Sequence, residues 1–234
     1  MNMKVFLRVF LAIWATSAVA QDAMPVVTNS PAGTSAAGDT NEDLTPKTPG
    51  DLFTNSAGML LIKAGGYWVG KYEVTQKEFQ KVMGSNPSAF PGEERPVDSV
   101  SWNDAMDFCQ KLGEKDVKDK KLPDGYYYTL PTEDEWQAFS ADASLDDAVT
   151  SMNATARDGT APVGSLGPNG LGLYDTRGNV MEFCLGDTDK PYRVLLGGCW
   201  QDNVEINLRK EFRYYCTPDD RKNTYGFRCL LKAK

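Results

Sequence analysis

Apolar positions follow two periods in the first half of the chain and neither in the second. The stretch GMLLIKAGGYWVGKYEVT, residues 58–75, predicts two short strands around Gly65-Gly66. Thr75 and Glu78 form a capping box, Val74 can staple to Phe79, and Gly84-Ser85-Asn86-Pro87 ends the helix that follows. Ser101 and Asp104 open a second helix over 102–112. Its Trp102, Ala105, Phe108, Cys109 and Leu112 fall on one face, and Gly113 is read as its cap. Tyr126–Leu130 predicts a strand. Thr132 and Glu135 then make a third box, before a helix carrying Trp136 and Phe139. After residue 140 helical spacing disappears, and Gly, Pro and Asn punctuate short apolar pieces such as Arg193–Leu196 and Gly226–Leu230. A few helices followed by a loop-rich half with short strands predicts an α+β domain.

The N-terminal 56 residues read differently. Residues 1–20 combine Lys4 and Arg8, an apolar run from Val9 to Ala15, and Ala18-Val19-Ala20 before Gln21, the pattern of a cleaved signal peptide. The run is shorter than the roughly 20 residues a membrane span needs. Residues 21–56 are rich in Pro, Thr, Ser, Ala and Gly, with Phe53 the only aromatic, and are expected to form a flexible spacer. One domain over 57–234 completes the expected organisation, with a periplasmic or extracellular location and a monomeric state. No membrane span is expected after signal cleavage.

The chain has 234 residues, a net charge of −7 and no histidine. Loss of Lys4 and Arg8 with the signal takes the charge from −7 to −9. The acidic balance argues against nucleic acid or anionic lipid as a partner. The missing histidine removes Ser-His-Asp and Cys-His catalysis, histidine zinc sites and an imidazole switch. Export permits disulfides. The five cysteines, Cys109, Cys184, Cys199, Cys216 and Cys229, contain no CxxC, and an odd count leaves at least one without an intramolecular partner. Asn153-Ala154-Thr155 fits the N-glycosylation triplet, a pattern frequent by chance.

Six motifs in order carry a family resemblance: Tyr72-Glu73-Val74-Thr75, Val100–Ala105 (VSWNDA), Leu130–Trp136 (LPTEDEW), Pro168–Phe183 (PNGLGLYDTRGNVMEF), Gly197-Gly198-Cys199-Trp200 and Gly226-Phe227-Arg228. Together they resemble the formylglycine-generating enzyme, or sulfatase-modifying factor, family, over roughly 57–234. The resemblance implies a C-type lectin-like variant with small irregular antiparallel sheets and extensive loops. It implies a Cys109–Cys229 disulfide closing a loop of about 120 residues, worth roughly 4–5 kcal/mol in the entropic account. The remaining bridge among Cys184, Cys199 and Cys216 is left open. It also implies a calcium loop in which side-chain oxygens of Asp175 and Glu182 join the carbonyls of Gly178 and Val180, a sensible hard-oxygen set. A second calcium loop would need more chain than Asn153–Asp158 provides.

The family's oxidase chemistry rests on Cu(I) held by two cysteines, a soft ion on soft ligands. Counting from Gly197-Gly198, Asp202 and Asn207 stand at those positions; Cys199 replaces the family serine and Met181 the family tryptophan. Copper is therefore not expected, nor is any catalytic residue. A relocated thiol pair around Cys199 has no spacing to support it. The carboxylates could in principle serve as a glycosidase pair, but a solvated acidic face is the plainer reading. Arg209, Arg213, Asp219 and Arg221 are expected to form a salt-bridged network, with an anion-binding groove as the alternative. The favoured function is an exported, non-catalytic binding module for a protein or glycan, through a groove near Cys199, Trp200, Arg209 and Arg213. The alternatives are an active formylglycine-generating oxidase and a structural accessory domain held near the envelope.

Overall fold

The three capping boxes read from the sequence set the three α-helices of the described residues. A computed structural model describes residues 50–152 and 158–234; the expected signal peptide, most of the spacer and the Asn153-Ala154-Thr155 triplet lie outside the described residues. Helix α1, Gln76–Met83, starts where Thr75 Oγ1 accepts from the Glu78 N–H and Glu78 Oε2 accepts from the Thr75 N–H at 2.8 Å. It stops at Gly84, whose φ of 81° is the left-handed turn glycine adopts without penalty. Helix α2, Trp102–Lys118, has the same reciprocal arrangement at Ser101 and Asp104, and α3, Glu133–Phe139, at Thr132 and Glu135. Each cap satisfies amide groups that the helix itself leaves unpaired, typically worth about 1 kcal/mol.

Helix α2 does not end at Gly113, as the sequence suggests, but runs to Lys118. Its last turn is anchored from outside. The buried Asp116 accepts from the Ser56 N–H at 2.8 Å and from the Tyr128 hydroxyl at 2.6 Å. At Gly113 the helix lies close to the Tyr128 ring, where a Cβ would stand 3.9 Å from it.

Among the described residues nine short strands form two sheets. The first, in the order β1-β2-β3-β9-β4, is antiparallel throughout and comprises Leu52–Thr54, Leu60–Ala64, Tyr67–Gly70, Leu230–Ala233 and Tyr126–Thr129. The chain's end thus lies between a strand from residue 67 and one from residue 126. Strand β1 falls in the expected spacer: Phe53 pairs with Leu61, and Asn55 and Ser56 are buried, so the folded unit starts upstream of residue 57. The second sheet, in the order β7-β6-β5-β8, comprises Tyr214–Cys216, Arg193–Leu196, Met181–Phe183 and Tyr225–Gly226. Its β5–β8 pair is parallel, while its other pairs are antiparallel as expected. A 3-10 turn, Glu205–Leu208, precedes β7.

Two apolar clusters hold these layers. In one, Phe79 of α1 and Phe108 of α2 stack at 5.6 Å, and Phe227 meets both edge-on at 6.3 and 5.3 Å. In the other, Trp136 and Phe139 of α3 pack with Val69 and Leu230 of the first sheet and Val194 and Leu196 of the second. Burial of such side chains contributes about 1.5–3 kcal/mol each. The seam between the sheets is where the polar residues of interest collect.

Candidate functional site

A charged residue between Phe227 and Cys229 has to find a partner indoors, and Arg228 does so. It is wholly buried, as is Glu182 of β5. Arg228 Nε donates to Glu182 Oε1 and Oε2, both at 2.8 Å, and Nη2 donates to Oε1 at 2.5 Å. The remaining donors reach the Gly70 carbonyl at 3.1 Å and the Tyr174 carbonyl at 2.8 Å. Trp136 Nε1 adds a bond to Glu182 Oε2 at 2.8 Å. This pair joins β5, α3 and the approach to β9. Removing one partner from such a pair usually costs more than the pair itself contributes.

Two further carboxylates lie in the same region. Glu73 accepts from Asn179 Nδ2 at 2.6 Å and from the Val180 N–H at 3.1 Å. Burial, then the neighbouring Asp175 and Glu182, raise its proton affinity well above the ordinary carboxylate range. Asp175 accepts from the Gly164 N–H at 2.6 Å through Oδ2, while its buried Oδ1 has no hydrogen-bond partner. Burial pushes its pKa up to about 6. The loop from Asp175 to Asn179 curls through left-handed backbone at both ends and at Gly178. A Cβ on Gly178 would meet the Val149 carbonyl oxygen at 2.4 Å, so glycine is required there.

This geometry divides the calcium set. Asp175, with its orphaned oxygen, has an acceptor to offer. Glu182 does not: both its oxygens are taken by Arg228 and Trp136, and a guanidinium already balances its charge. A second cation against that carboxylate would face Arg228. The four residues Asp175, Gly178, Val180 and Glu182 therefore do not fit calcium in the arrangement the resemblance implies. Among the described residues, no group of three or more Cys, Asp or Glu is placed to hold a metal ion.

The cleft beside Cys199 is a separate place. A cavity of about 380 Å³ opens between β5, β8 and the loop from Gly198 to Asn207, with Met181, Cys199, Phe212, Tyr214, Lys222 and Tyr225 among its walls. Asp202 and Asn207 stand there together. Asn207 Nδ2 donates to Asp202 Oδ1 at 2.6 Å, and the Cys199 N–H donates to Asp202 Oδ2 at 2.7 Å. Burial, then the Asp202 charge, push the Cys199 thiol up to about 12, so it stays protonated at neutral pH. A carboxylate, an amide and a protonated thiol do not fit Cu(I). On the opposite wall Lys222 Nζ donates to the Tyr214 hydroxyl at 2.9 Å and lies over the Tyr214 and Tyr225 rings. That bond, then one with Tyr225, lowers the Tyr214 pKa; burial, then Tyr214, raise that of Tyr225.

Of the expected groove residues only Cys199 lines this cleft. Trp200 packs edge-on against Phe90 at 5.2 Å and donates to the Asn223 carbonyl. Arg209 faces Glu205 at the surface, and Arg213 pairs with Glu133 at a different opening. The expected Arg–Asp network is likewise four separate links: Arg209 to Glu205, Arg213 to Glu133, Arg221 to Asp104, and Asp219 to Asn103. Cys109 and Cys229 do come together, with their sulfurs 3.5 Å apart between α2 and β9. Sequence reasoning did not single out Glu73, Asn179, Lys222 or Tyr225. Glu73 and Asn179 lay inside quoted motifs, but nothing in one dimension marked them as neighbours.

The two small sheets, three helices and long loops of the described residues place the fold in the C-type lectin-like group. Residues 17–233 match the profile of the FGE-sulfatase family, described as a sulfatase-modifying factor enzyme 1-like domain, and the chain belongs to that family. It is 32% identical to "Chaperone protein LppX" of Paenibacillus barcinonensis, over 59% of this chain and 70% of that one. It is equally 32% identical to "Inactive C-alpha-formylglycine-generating enzyme 2" of Bos taurus and to "Formylglycine-generating enzyme" of Streptomyces coelicolor. The matches cover 60% and 59% of this chain but only 51% and 53% of those proteins, so it spans about half their length. Among solved structures, Treponema denticola variable protein 1 has the same fold, with a TM-score of 0.62 and 24% identity over 80% of this chain and 92% of that one. Overall identity thus does not separate active from inactive relatives; the site residues have to.

Proposed function

We infer that this chain is an exported accessory module that has left the copper oxidase chemistry of its family and binds a protein or glycan through the cleft beside Cys199. One observation carries the reading: Asp202 and Asn207, which the family resemblance sets at the copper positions, are hydrogen-bonded to each other at 2.6 Å. The interaction replaces two soft thiolates by a closed polar contact. The high proton affinity of Cys199 supports the same conclusion, because a protonated thiol is a poor ligand. Relatives named as an inactive enzyme and as a chaperone are compatible with an accessory role. Export rests on the pattern of residues 1–20 and places the mature N-terminus at Gln21.

The test is direct. Purified protein is loaded with Cu(I) under air and given a cysteine-containing sulfatase-motif peptide. Mass spectrometry is expected to show the peptide unchanged, and conversion of its cysteine to formylglycine would overturn the assignment. Fractionation of the source cells with N-terminal sequencing tests the export claim; an intact Met1 on a cytoplasmic protein would defeat it.

A further inference from the structure

Tyr214 and Tyr215 leave β7 on opposite faces, as successive residues of a strand do. Tyr214 turns into the Cys199 cleft and is half-buried. Tyr215 turns away and is 54% exposed, with its ring edge-on to Tyr192 at 5.2 Å. The two phenols are the same group one residue apart, so a difference in their reactivity has to come from their surroundings.

The Tyr214 oxygen is loaded with donors. Lys222 Nζ donates to it at 2.9 Å, and the Tyr225 hydroxyl donates to it from the buried side. The same ammonium stands 5.2 Å from the centre of the Tyr214 ring and 5.4 Å from that of Tyr225. Both hydrogen bonds strengthen as negative charge grows on the oxygen, so both favour loss of its proton. Lys222 is exposed and water screens its charge, but the Tyr225 contact is buried and keeps its strength. Lys222 and then Tyr225 outweigh burial and leave Tyr214 below the ordinary tyrosine range. The other ionisable groups around it are accounted for. Asp202 in the facing loop receives the Cys199 N–H and Asn207 Nδ2. Burial pushes the Cys216 thiol up to about 11, so it carries no charge at neutral pH. Asp220 acts on Lys222 and Tyr225 and holds a proton on each.

We propose that Tyr214 is the nucleophilic group of the Cys199 cleft, a phenol that Lys222 and Tyr225 prepare to take an acyl group from an activated acyl donor. In this step the phenol gives its proton to solvent and its oxygen forms a bond to the acyl carbon. The bond from that carbon to the leaving group breaks, and the leaving group keeps the electron pair and takes up a proton. Nothing is oxidised or reduced. A hard oxygen nucleophile matches a hard acyl carbon, and Met181 and Phe212 in the walls can lie against a short acyl chain. The product is an aryl ester, so the cleft becomes a site of covalent modification that uses neither a metal ion nor a histidine. The inference goes beyond the binding-module reading and does not depend on Asp202 and Asn207.

The test treats the mature full chain with limiting N-acetylimidazole at neutral pH and locates the acetyl groups by peptide mass spectrometry. Tyr214 is expected to react at least about fivefold faster than the more exposed Tyr127, Tyr192 and Tyr215. Lys222→Met and Tyr225→Phe are each expected to remove most of that advantage and Lys222→Arg to keep it, while thermal unfolding confirms that all three variants fold. The pH midpoint of the Tyr214 rate should lie below that of Tyr215 and rise in Lys222→Met, a shift that a merely structural lysine would not produce. Hydroxylamine should release the acetyl group, as it does from aryl esters and not from amides. A Tyr214 rate no greater than that of Tyr215 would overturn the proposal. So would a rate and midpoint unchanged in both Lys222→Met and Tyr225→Phe, or a hydroxylamine-stable label on Lys222 in place of Tyr214. The Cu(I) conversion assay reports separately on the parent reading: formylglycine there defeats the accessory-module assignment, whereas an unreactive Tyr214 defeats only this proposal.

Discussion

The sharpest prediction concerns Asp175→Asn. The wild-type carboxyl is buried, has one oxygen without a partner, and titrates at about 6 rather than the ordinary 3.8. Burial is the main cause, with the Gly164 N–H and Arg228 opposing it and Glu182 adding to it. The folded state therefore binds this proton more tightly than the unfolded state. Stability is fully retained below the unfolded value, falls as pH rises through the interval from 3.8 to 6, and is at its lowest above it. A gap of about 2 pH units corresponds to roughly 3 kcal/mol, at 1.36 kcal/mol per unit. Glu73 is raised too and steepens the same decline.

Asparagine removes the charge and keeps the shape. Its amide oxygen can still accept from the Gly164 N–H, and its backbone tolerates the left-handed φ of 54° that residue 175 adopts. The variant is expected to be more stable than wild type at pH 7 by about 1–3 kcal/mol, or roughly 3–9 °C in melting temperature for a domain of this size. At pH 4 the two proteins should melt together, and the wild-type slope between pH 4 and 6.5 should flatten. Thermal unfolding by circular dichroism across that range, with and without added Ca²⁺, decides the matter. A variant that melts at or below wild type at pH 7 would refute the argument. So would a Ca²⁺-induced rise in wild-type melting temperature that Asp175→Asn abolishes, because a cation rather than a proton would then answer the orphaned oxygen.

Other consequences follow from the same contacts. Arg228→Met leaves Glu182 charged and buried and should cost about 3–5 kcal/mol; the double variant Arg228→Met/Glu182→Gln should recover part of that loss in denaturant titration, and no recovery would show that the pair is not the source. Because Cys109 and Cys229 meet at 3.5 Å, protein prepared under oxidising conditions should lack one pair of hydrogens by intact mass. Cys109→Ser should then lose roughly 4–5 kcal/mol, whereas labelling of both thiols in denaturant without reductant would count against the bridge. Gly178→Ala must both hold a φ of 76° and displace the Val149 carbonyl. It should cost more than about 2 kcal/mol, and a wild-type melting temperature would contradict the close approach.

How far the sequence discloses this molecule depends on the range of each interaction. The helices were legible because a capping box is a contact between residues three apart, and Thr75, Ser101 and Thr132 each announce one. The end of α2 was not, since Gly113 is a local stop signal overridden by Asp116, which reaches Ser56 and Tyr128 in space. The lower boundary of the domain failed for a related reason. Leu52–Thr54 has no strand signature of its own and exists as β1 only because β2 is beside it. The parallel pairing of β5 and β8 and the meeting of Glu73 with Asn179 are likewise set by the fold, across 106 residues in the second case.

The candidate site follows the same logic and sharpens it. Counting from Gly197-Gly198 brought Asp202 and Asn207 forward because the positions that the resemblance assigns to copper are defined by local spacing. The cleft's opposite wall, Lys222 with Tyr214 and Tyr225, comes from a strand edge and a turn whose only sequence marker is composition. The calcium set shows the limit of carrying residues over one by one. Glu182 stands at the matching position, but its chemistry was decided by Arg228, 46 residues away, which turns a free carboxylate into half of a closed ion pair. A motif conveys which side chains are present. Their availability depends on what else the fold presses against them, and here that contact separates an oxygen that can still take a ligand, on Asp175, from one that cannot.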